Sequence, residues 1–195
     1  MSPRAPGRLR ADLLDAAARL IETTGSVEAV TLRAVAREAG VTAPAVYGHF
    51  ADLDALVDAV LEEGFAALRG SIAAAVAGLG DPVDRLVAGC RAYVRAGLAA
   101  PARYRAMFRS RRVPGGQAAF AVLVDAVVAC QAAGRAPGRD ADGDAVLVWT
   151  ALHGVVTLRS GGPDVPWPDA DEQVRALVTR LVRLDAGPSG DELPR

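Results

Sequence analysis

Apolar residues recur every three or four positions along most of the chain, which is the spacing of one face of an α-helix. In the first third of the sequence, this spacing and the residues that begin and end helices predict four of them. We expect a helix that ends at Gly25, two short helices over 31–40 and 42–50, and a long helix from Asp52 to about Gly78.

Beyond residue 80 the predicted helices are longer. We expect them over 81–99, 101–110, 116–134, 140–161 and 169–186, with breaks rich in glycine, proline and arginine. No segment alternates apolar and polar residues as a half-buried strand does. Hydrophobic residues make up 51% of the chain and aromatic residues only 5%, and the abundant alanine and leucine favour helices. The predicted fold class is therefore all-α.

Charge and reactive side chains exclude several functions. The formal net charge is −1, so binding to nucleic acid would have to depend on a local patch. Cys90 and Cys130 are isolated thiols, which predicts buried, inert side chains in a reduced protein. Neither the two histidines nor any nucleophile has partners at useful spacing, so we expect no metal, no cofactor and no enzymatic activity. No run of residues looks long and apolar enough to span a bilayer, so we expect a cytoplasmic protein that does not bind membranes.

The two short helices meet at residues 39–42, Ala-Gly-Val-Thr, a tight turn with glycine at the bend. Thr31 and Thr42 are suitable N-cap residues, and Pro44 fits the first turn of the second helix. A long helix follows, as in a helix-turn-helix, whose second helix enters the major groove of DNA. A helical hairpin inside a bundle has the same shape, so the shape alone leaves both interpretations open.

The residues of this segment distinguish the two interpretations. Residues 31–50, TLRAVAREAGVTAPAVYGHF, followed by Leu56, closely resemble the DNA-binding segment of the tetracycline-repressor (TetR) family. The resemblance covers about residues 8–65 and extends weakly to the whole chain through the number of helices. It implies a three-helix DNA-binding module joined by a long helix to a C-terminal helical bundle that dimerises.

The resemblance also implies which residues contact double-stranded operator DNA. The second short helix lacks the Arg, Asn and Gln side chains that read bases through paired hydrogen bonds, so direct readout would depend on thymine methyl groups and one arginine. The implied contacts are Thr31, Tyr47 and His49 at phosphates, Arg33 at a base edge, and the small groups of Thr42, Ala43, Pro44 and Ala45 at the bases.

Two features affect the expected strength of DNA binding. Leu53 stands where family members usually place a lysine that touches a phosphate, so one backbone contact is expected to be missing. Arg4, Arg8 and Arg10 belong to a basic N-terminal arm that either adds minor-groove contacts or is a solvated tail.

The C-terminal half contains candidates for a ligand site. Trp149, His153 and Gly154 resemble the Trp-His-Gly (WHG) signature of one TetR subgroup, and residues 93–108 resemble that subgroup too. Large side chains of these helices either line an apolar cavity or fill a solid core, and a lone histidine on an apolar face is usually a core residue. The candidates are Tyr93, Tyr104, Met107, Phe108, Phe120, Trp149 and His153.

The last two long helices have more apolar surface than one small bundle needs, and the resemblance implies that they form a dimer interface. The residues in question are Val146, Val148, Val155, Leu177, Val178, Leu181 and Val182.

These observations predict a homodimeric, ligand-released repressor of its own or neighbouring genes, whose small-molecule effector is unknown. A helical small-molecule carrier that has lost operator binding is the alternative. The expected domains are a flexible basic arm over 1–7, a helix-turn-helix domain over 8–70, a ligand-binding and dimerisation domain over 71–186, and a disordered tail over 187–195.

Overall fold

The structure, a computed structural model, describes residues 6–109, 113–162 and 165–184. This part of the chain forms nine α-helices and one short 3-10 helix, Val27–Ala29, and contains no strand, which confirms the all-α class. The helices are α1 (Pro6–Thr24), α2 (Leu32–Glu38), α3 (Ala43–Tyr47), α4 (Leu53–Val76), α5 (Pro82–Ala99), α6 (Pro101–Arg109), α7 (Pro114–Ala132), α8 (Ala141–Gly161) and α9 (Ala170–Leu181).

Helix ends follow local hydrogen-bonding chemistry. The Thr31 hydroxyl accepts a hydrogen bond from the Ala34 N–H at 3.1 Å and caps α2. The Asp169 carboxylate does the same for α9, accepting from the Glu172 N–H at 2.9 Å. At the end of α2, Gly40 has a φ of +66°, a conformation that glycine adopts without the strain that a side chain would add.

Most helix limits differ from the predicted ones by a few residues, and three of the differences are informative. Helix α1 begins at Pro6, so Arg8 and Arg10 are helical and the expected arm extends too far; residues 1–5 lie outside the described part. Helix α7 begins at Pro114 rather than 116, because the Glu62 carboxylate accepts hydrogen bonds from the Gly115 N–H at 3.0 and 3.1 Å.

Helix α9 ends at Leu181, five residues before the predicted limit of 186. Arg183 adopts a left-handed φ of 52°, and the Leu184 N–H bonds back to the Thr179 carbonyl at 3.0 Å. Leu184 is buried, which favours this turn over another helical turn. The tail predicted over 187–195 lies outside the described residues.

The chain divides into two compact units, Met1–Ala67 with Ala99–Gln117 and Leu68–Leu98 with Ala118–Arg195. The first unit therefore contains α6 as well as the predicted DNA-binding helices. The carboxylate of Glu22, near the end of α1, accepts hydrogen bonds from the first N–H groups of α6, at 3.3 Å from Ala102 and 3.1 Å from Arg103. The core of this unit includes Leu13, Ile21, Val35, Val46 and Leu56.

The second unit contains α5, most of α7, α8 and α9. Arg159 of α8 donates to the Gln173 side chain of α9 at 2.7 Å and stacks over the Trp167 ring at 5.3 Å. Arg95 of α5 pairs with Asp171 at the start of α9. These contacts tie the last helix to the rest of its unit.

Burial inside this unit corrects the predicted dimer residues. Val148, Val155, Val178 and Val182 are at most 5% exposed within the single chain, so they belong to its own core. Helices α8 and α9 contact each other within this unit. On α8, the large apolar residues that are exposed are Val146, which was among the predicted residues, and Leu147 and Leu158, which were not.

Helix α7 is the one helix of the described residues that is long and apolar enough to span a membrane, on length and composition alone. The expectation that no run is long and apolar enough was wrong for Pro114–Ala132. A helix that packs against another protein surface has the same composition, so this single helix is weak support for a membrane span.

Candidate nucleic-acid interface

The geometry of the α2–α3 turn depends on a small apolar core. Val35 and Ala36 of α2 and Val46 of α3 are buried, and the Val41 N–H donates to the Ala36 carbonyl at 2.9 Å. The turn bends at Gly40, as predicted. Because the apolar side chains point inward, the remaining positions of both helices lie on the surface.

The predicted phosphate contacts lie on that surface. Tyr47 is 59% exposed, more than a large aromatic ring normally is, and its hydroxyl can donate to an anion. Thr31 is exposed, and because its hydroxyl oxygen accepts the cap hydrogen bond, the hydroxyl hydrogen can still be donated to a phosphate. His49 is half-buried, in the turn that follows α3.

The predicted base-reading residues are also at the surface. Arg33, Thr42 and Pro44 are exposed, whereas Ala43 and Ala45 are half-buried. Thr42 occupies the N-cap position of α3, but its side chain makes no capping hydrogen bond. Thus α3 presents methyl groups, a proline ring and a hydroxyl, which can contact thymine methyls and base edges but cannot make paired hydrogen bonds.

The ligand candidates fall into two groups. In the first unit, Tyr104 and Met107 of α6 are buried, and the Phe108 ring lies 4.9 Å from Tyr104 and 5.4 Å from Phe65 of α4. Phe65 was not among the predicted ligand candidates, although its helical spacing from Leu61 and Leu68 indicates a core position. These rings pack edge to face or tilted, as aromatic rings in protein cores do.

In the second unit, Phe120 and His153 flank Trp149, with ring centroids 6.2 and 5.9 Å from the indole. All three are half-buried. Burial lowers the pKa of His153, so its imidazole is neutral at pH 7. Tyr93 is buried in α5.

The thiols and carboxylates do not form a reactive centre in the described ranges. Burial raises the pKa of Cys90 to about 12 and also raises that of Cys130, so both thiols are protonated and inert. Among residues 6–109, 113–162 and 165–184, no group of three or more His, Cys, Asp or Glu side chains is placed to hold a metal ion.

Fold and surface together define a helix-turn-helix DNA-binding protein with a separate helical unit. Two family models match the chain. Residues 13–60 match "Bacterial regulatory proteins, tetR family", and residues 86–183 match "Tetracyclin repressor-like, C-terminal domain". The chain belongs to the TetR family of transcriptional regulators. Neither match identifies the Trp-His-Gly subgroup.

Solved structures are similar over nearly the whole chain. A protein of unknown function from Rhodococcus sp. RHA1 is 33% identical, with a TM-score of 0.82, over 94% of this chain and 98% of that one. A TetR-like transcriptional regulator from the same organism is 18% identical, with a TM-score of 0.70, over 92% and 97%. A TetR family regulator from Marinobacter aquaeolei VT8 is 18% identical, with a TM-score of 0.72, over 90% and 96%. No curated protein matches the chain.

Membership of this family defines the broad function. TetR proteins are transcriptional regulators, not enzymes, and they bind operator DNA and typically act as dimers that respond to a small molecule. They are typically cytoplasmic, and the single apolar helix α7 does not point to a membrane protein.

Proposed function

We propose that the protein is a cytoplasmic, homodimeric repressor of its own or neighbouring genes, which releases operator DNA when an effector binds. The main support is the surface of α2 and α3, where hydroxyl groups and Arg33 are exposed around a buried apolar core. Two such surfaces in a dimer would enter successive major grooves, about 34 Å apart.

The proposed dimer contact is the exposed face of α8. Val146, Leu147 and Leu158 are 46%, 53% and 59% exposed, at positions that helical spacing brings to one side. Between them, a Cβ placed on Gly154 would meet no atom within 4 Å, so another helix can approach this stretch closely. A second copy of α8 would remove these apolar side chains from water.

The proposed effector contacts are Phe120, Trp149 and His153, because they are half-buried and combine aromatic surface with a neutral imidazole. Tyr104, Met107 and Phe108 are better explained as packing in the first unit. The similarity of Trp149, His153 and Gly154 to the Trp-His-Gly subgroup supports the same site.

Helix α6 is proposed to move together with the DNA-binding helices. It belongs to their compact unit, and Glu22 holds its first two N–H groups against α1. An effector that prefers a state of the dimer with altered geometry of the DNA-binding helices would favour that state in proportion to its preference.

DNA binding by the purified protein tests this proposal. The duplex is the region upstream of its own coding sequence, with a shuffled duplex of equal composition as control, at about 50 and 200 mM salt. We expect tighter binding to the upstream duplex and a steep loss with salt. Deleting the gene should raise transcription from that region. Equal, weak binding to both duplexes would contradict the proposal. It would favour a small-molecule carrier without operator binding, an alternative consistent with Leu53 and with the lack of base-reading Arg, Asn and Gln side chains on α3.

A further inference from the structure

Arg10 and Phe50 are in contact, although they lie at opposite ends of the DNA-binding segment. The guanidinium carbon of Arg10 is 5.2 Å from the centroid of the Phe50 ring, within the range of a cation–π interaction. The ring is only 5% exposed, so it is a fixed part of the core, whereas Arg10 is exposed on α1. Phe50 thus holds one face of an exposed guanidinium in a defined place.

Phe50 belongs to the same turn as two of the candidate phosphate contacts, Tyr47 and His49. The N–H groups of His49 and Phe50 donate to the Val46 carbonyl at 2.9 and 3.1 Å, so the turn after α3 continues directly from Tyr47. Arg10 therefore contacts the residue that directly follows His49 in this turn.

The neighbouring start of α4 is acidic. Asp52 caps the helix by accepting from the Ala55 N–H at 2.7 Å, and Asp54 lies in its first turn. Leu53, between them, has no charge. The Asp52 carboxylate would repel a phosphate that approaches this turn unless a cation lies nearby.

We propose that Arg10, positioned by the Phe50 ring, binds an operator phosphate beside His49 and supplies the cation that Leu53 does not. A guanidinium stacked on a ring keeps the N–H donors at its edge, which match phosphate oxygens in a fork. This contact rests on the proposed operator binding, and it replaces both earlier interpretations of Arg10, a minor-groove contact and a solvated tail.

The salt dependence of affinity tests the contact. The probes are a duplex selected from a random library with the wild-type protein and a shuffled duplex. Each lost phosphate contact makes the slope of log affinity against log salt shallower by about 0.9, so Arg10→Gln should lower it by roughly 2 for a dimer. The change should be similar on both duplexes, because a phosphate contact does not read sequence. Arg10→Lys, which keeps the cation, should retain most of the slope.

Arg105→Gln is the matched control, because it removes the same charge from the same unit. Arg105 is exposed on α6, whose start is bound by Glu22, about 18 Å along α1 from Arg10. We expect its slope to equal that of the wild type. An equal loss in Arg105→Gln would show a general charge effect and overturn the local contact.

Phe50→Leu tests the positioning role. Leucine keeps an apolar side chain in the core but removes the ring, so the slope should fall as in Arg10→Gln, and combining both changes should add little. Circular dichroism checks that each variant is folded; if Phe50→Leu is not, the comparison of Arg10→Gln with Arg10→Lys still decides. An unchanged slope in folded Arg10→Gln would overturn the proposal. A wild-type protein that selects no duplex would instead refute operator binding itself.

Discussion

The two units of this regulator expose opposite kinds of surface. In the first unit, the outer side of α2 and α3 presents hydroxyl groups, Arg33 and small side chains. In the second unit, α7 and α8 expose valine and leucine, including Val128, Leu147 and Leu158. A charged, hydrated backbone such as DNA suits the first surface, and a second protein surface suits the other.

The two surfaces differ in whether nearby residues or distant parts of the chain determine them. The α2–α3 surface is set by short-range chemistry, namely the Thr31 cap, the left-handed Gly40 and Pro44 in the first turn of α3. The α8 surface depends on long-range packing, because other parts of its unit bury some of its apolar residues and leave the rest exposed. Changes on the two surfaces should therefore separate DNA contact from assembly.

The largest expected effect follows from Leu147→Glu combined with Leu158→Glu. If α8 forms the dimer contact, these changes bring like charges together in an apolar interface and the protein becomes monomeric. A monomer that occupies one half-site should lose more than 100-fold in operator affinity, since the second half-site no longer contributes. Sedimentation and a binding titration measure both effects.

Leu79→Glu is the control for that pair of changes. Leu79 is also an exposed leucine, 37% exposed, but it lies in the turn between α4 and α5. Its variant should remain dimeric. A dimer that persists in the double variant would place the contact elsewhere. Val178→Asp is unsuitable as a test, because Val178 is 0% exposed and a buried charge there would unfold the subunit.

Arg33 and Tyr47 should affect DNA binding in different ways. If Arg33 contacts a base edge as proposed, Arg33→Ala should cost about 1–3 kcal/mol per half-site and relax the preference at one base position. If Tyr47 contacts a phosphate as proposed, Tyr47→Phe should weaken binding to all sequences equally. Titrations against a set of single-base operator variants distinguish these results. An unchanged ranking of variants in Arg33→Ala would contradict its assignment to a base edge.

Leu53→Lys should produce a smaller effect, and in the direction of gain. Leu53 is half-buried at the first position of α4. It lies close in sequence to Phe50, whose ring contacts Arg10. One added cation per subunit should steepen the salt slope of the dimer by roughly 2, for operator and shuffled DNA alike. An unchanged slope in a folded variant would mean that position 53 does not face the DNA backbone.

The smallest expected effect concerns the second unit and pH. Burial lowers the pKa of His153 below its usual 6.5, so the unfolded chain binds a proton first as the pH falls. The stability that the neutral His153 imidazole contributes is complete above pH 6.5 and is lost as the pH falls below 6.5. The melting temperature of the wild type should therefore fall more between pH 7.5 and 5.5 than that of His153→Gln. Equal falls would place His153 in a solvated environment.

The order and limits of the helices were largely predictable, because caps, glycines and apolar spacing act over a few residues. Burial across the chain was not. Val148 and Val178 looked like surplus apolar surface, but both are buried within the single chain. Arg10 looked like part of a flexible arm, since nothing near it in sequence indicates the Phe50 ring. The three ring-bearing candidates of α7 and α8 were found by residue type, and the Trp149 ring lies within 6.2 Å of the other two, measured between ring centroids.

Directed cleavage of bound DNA tests most directly whether α3 enters the major groove. Cys90 and Cys130 are buried with raised pKa values, so a cysteine introduced by Pro44→Cys can be labelled selectively with an iron chelate that cuts nearby DNA. We expect cuts within two half-sites about 34 Å apart, and none from a label at Gln117→Cys, an exposed position at the start of α7. Cleavage from position 117 but not from position 44, with operator binding intact, would contradict the account.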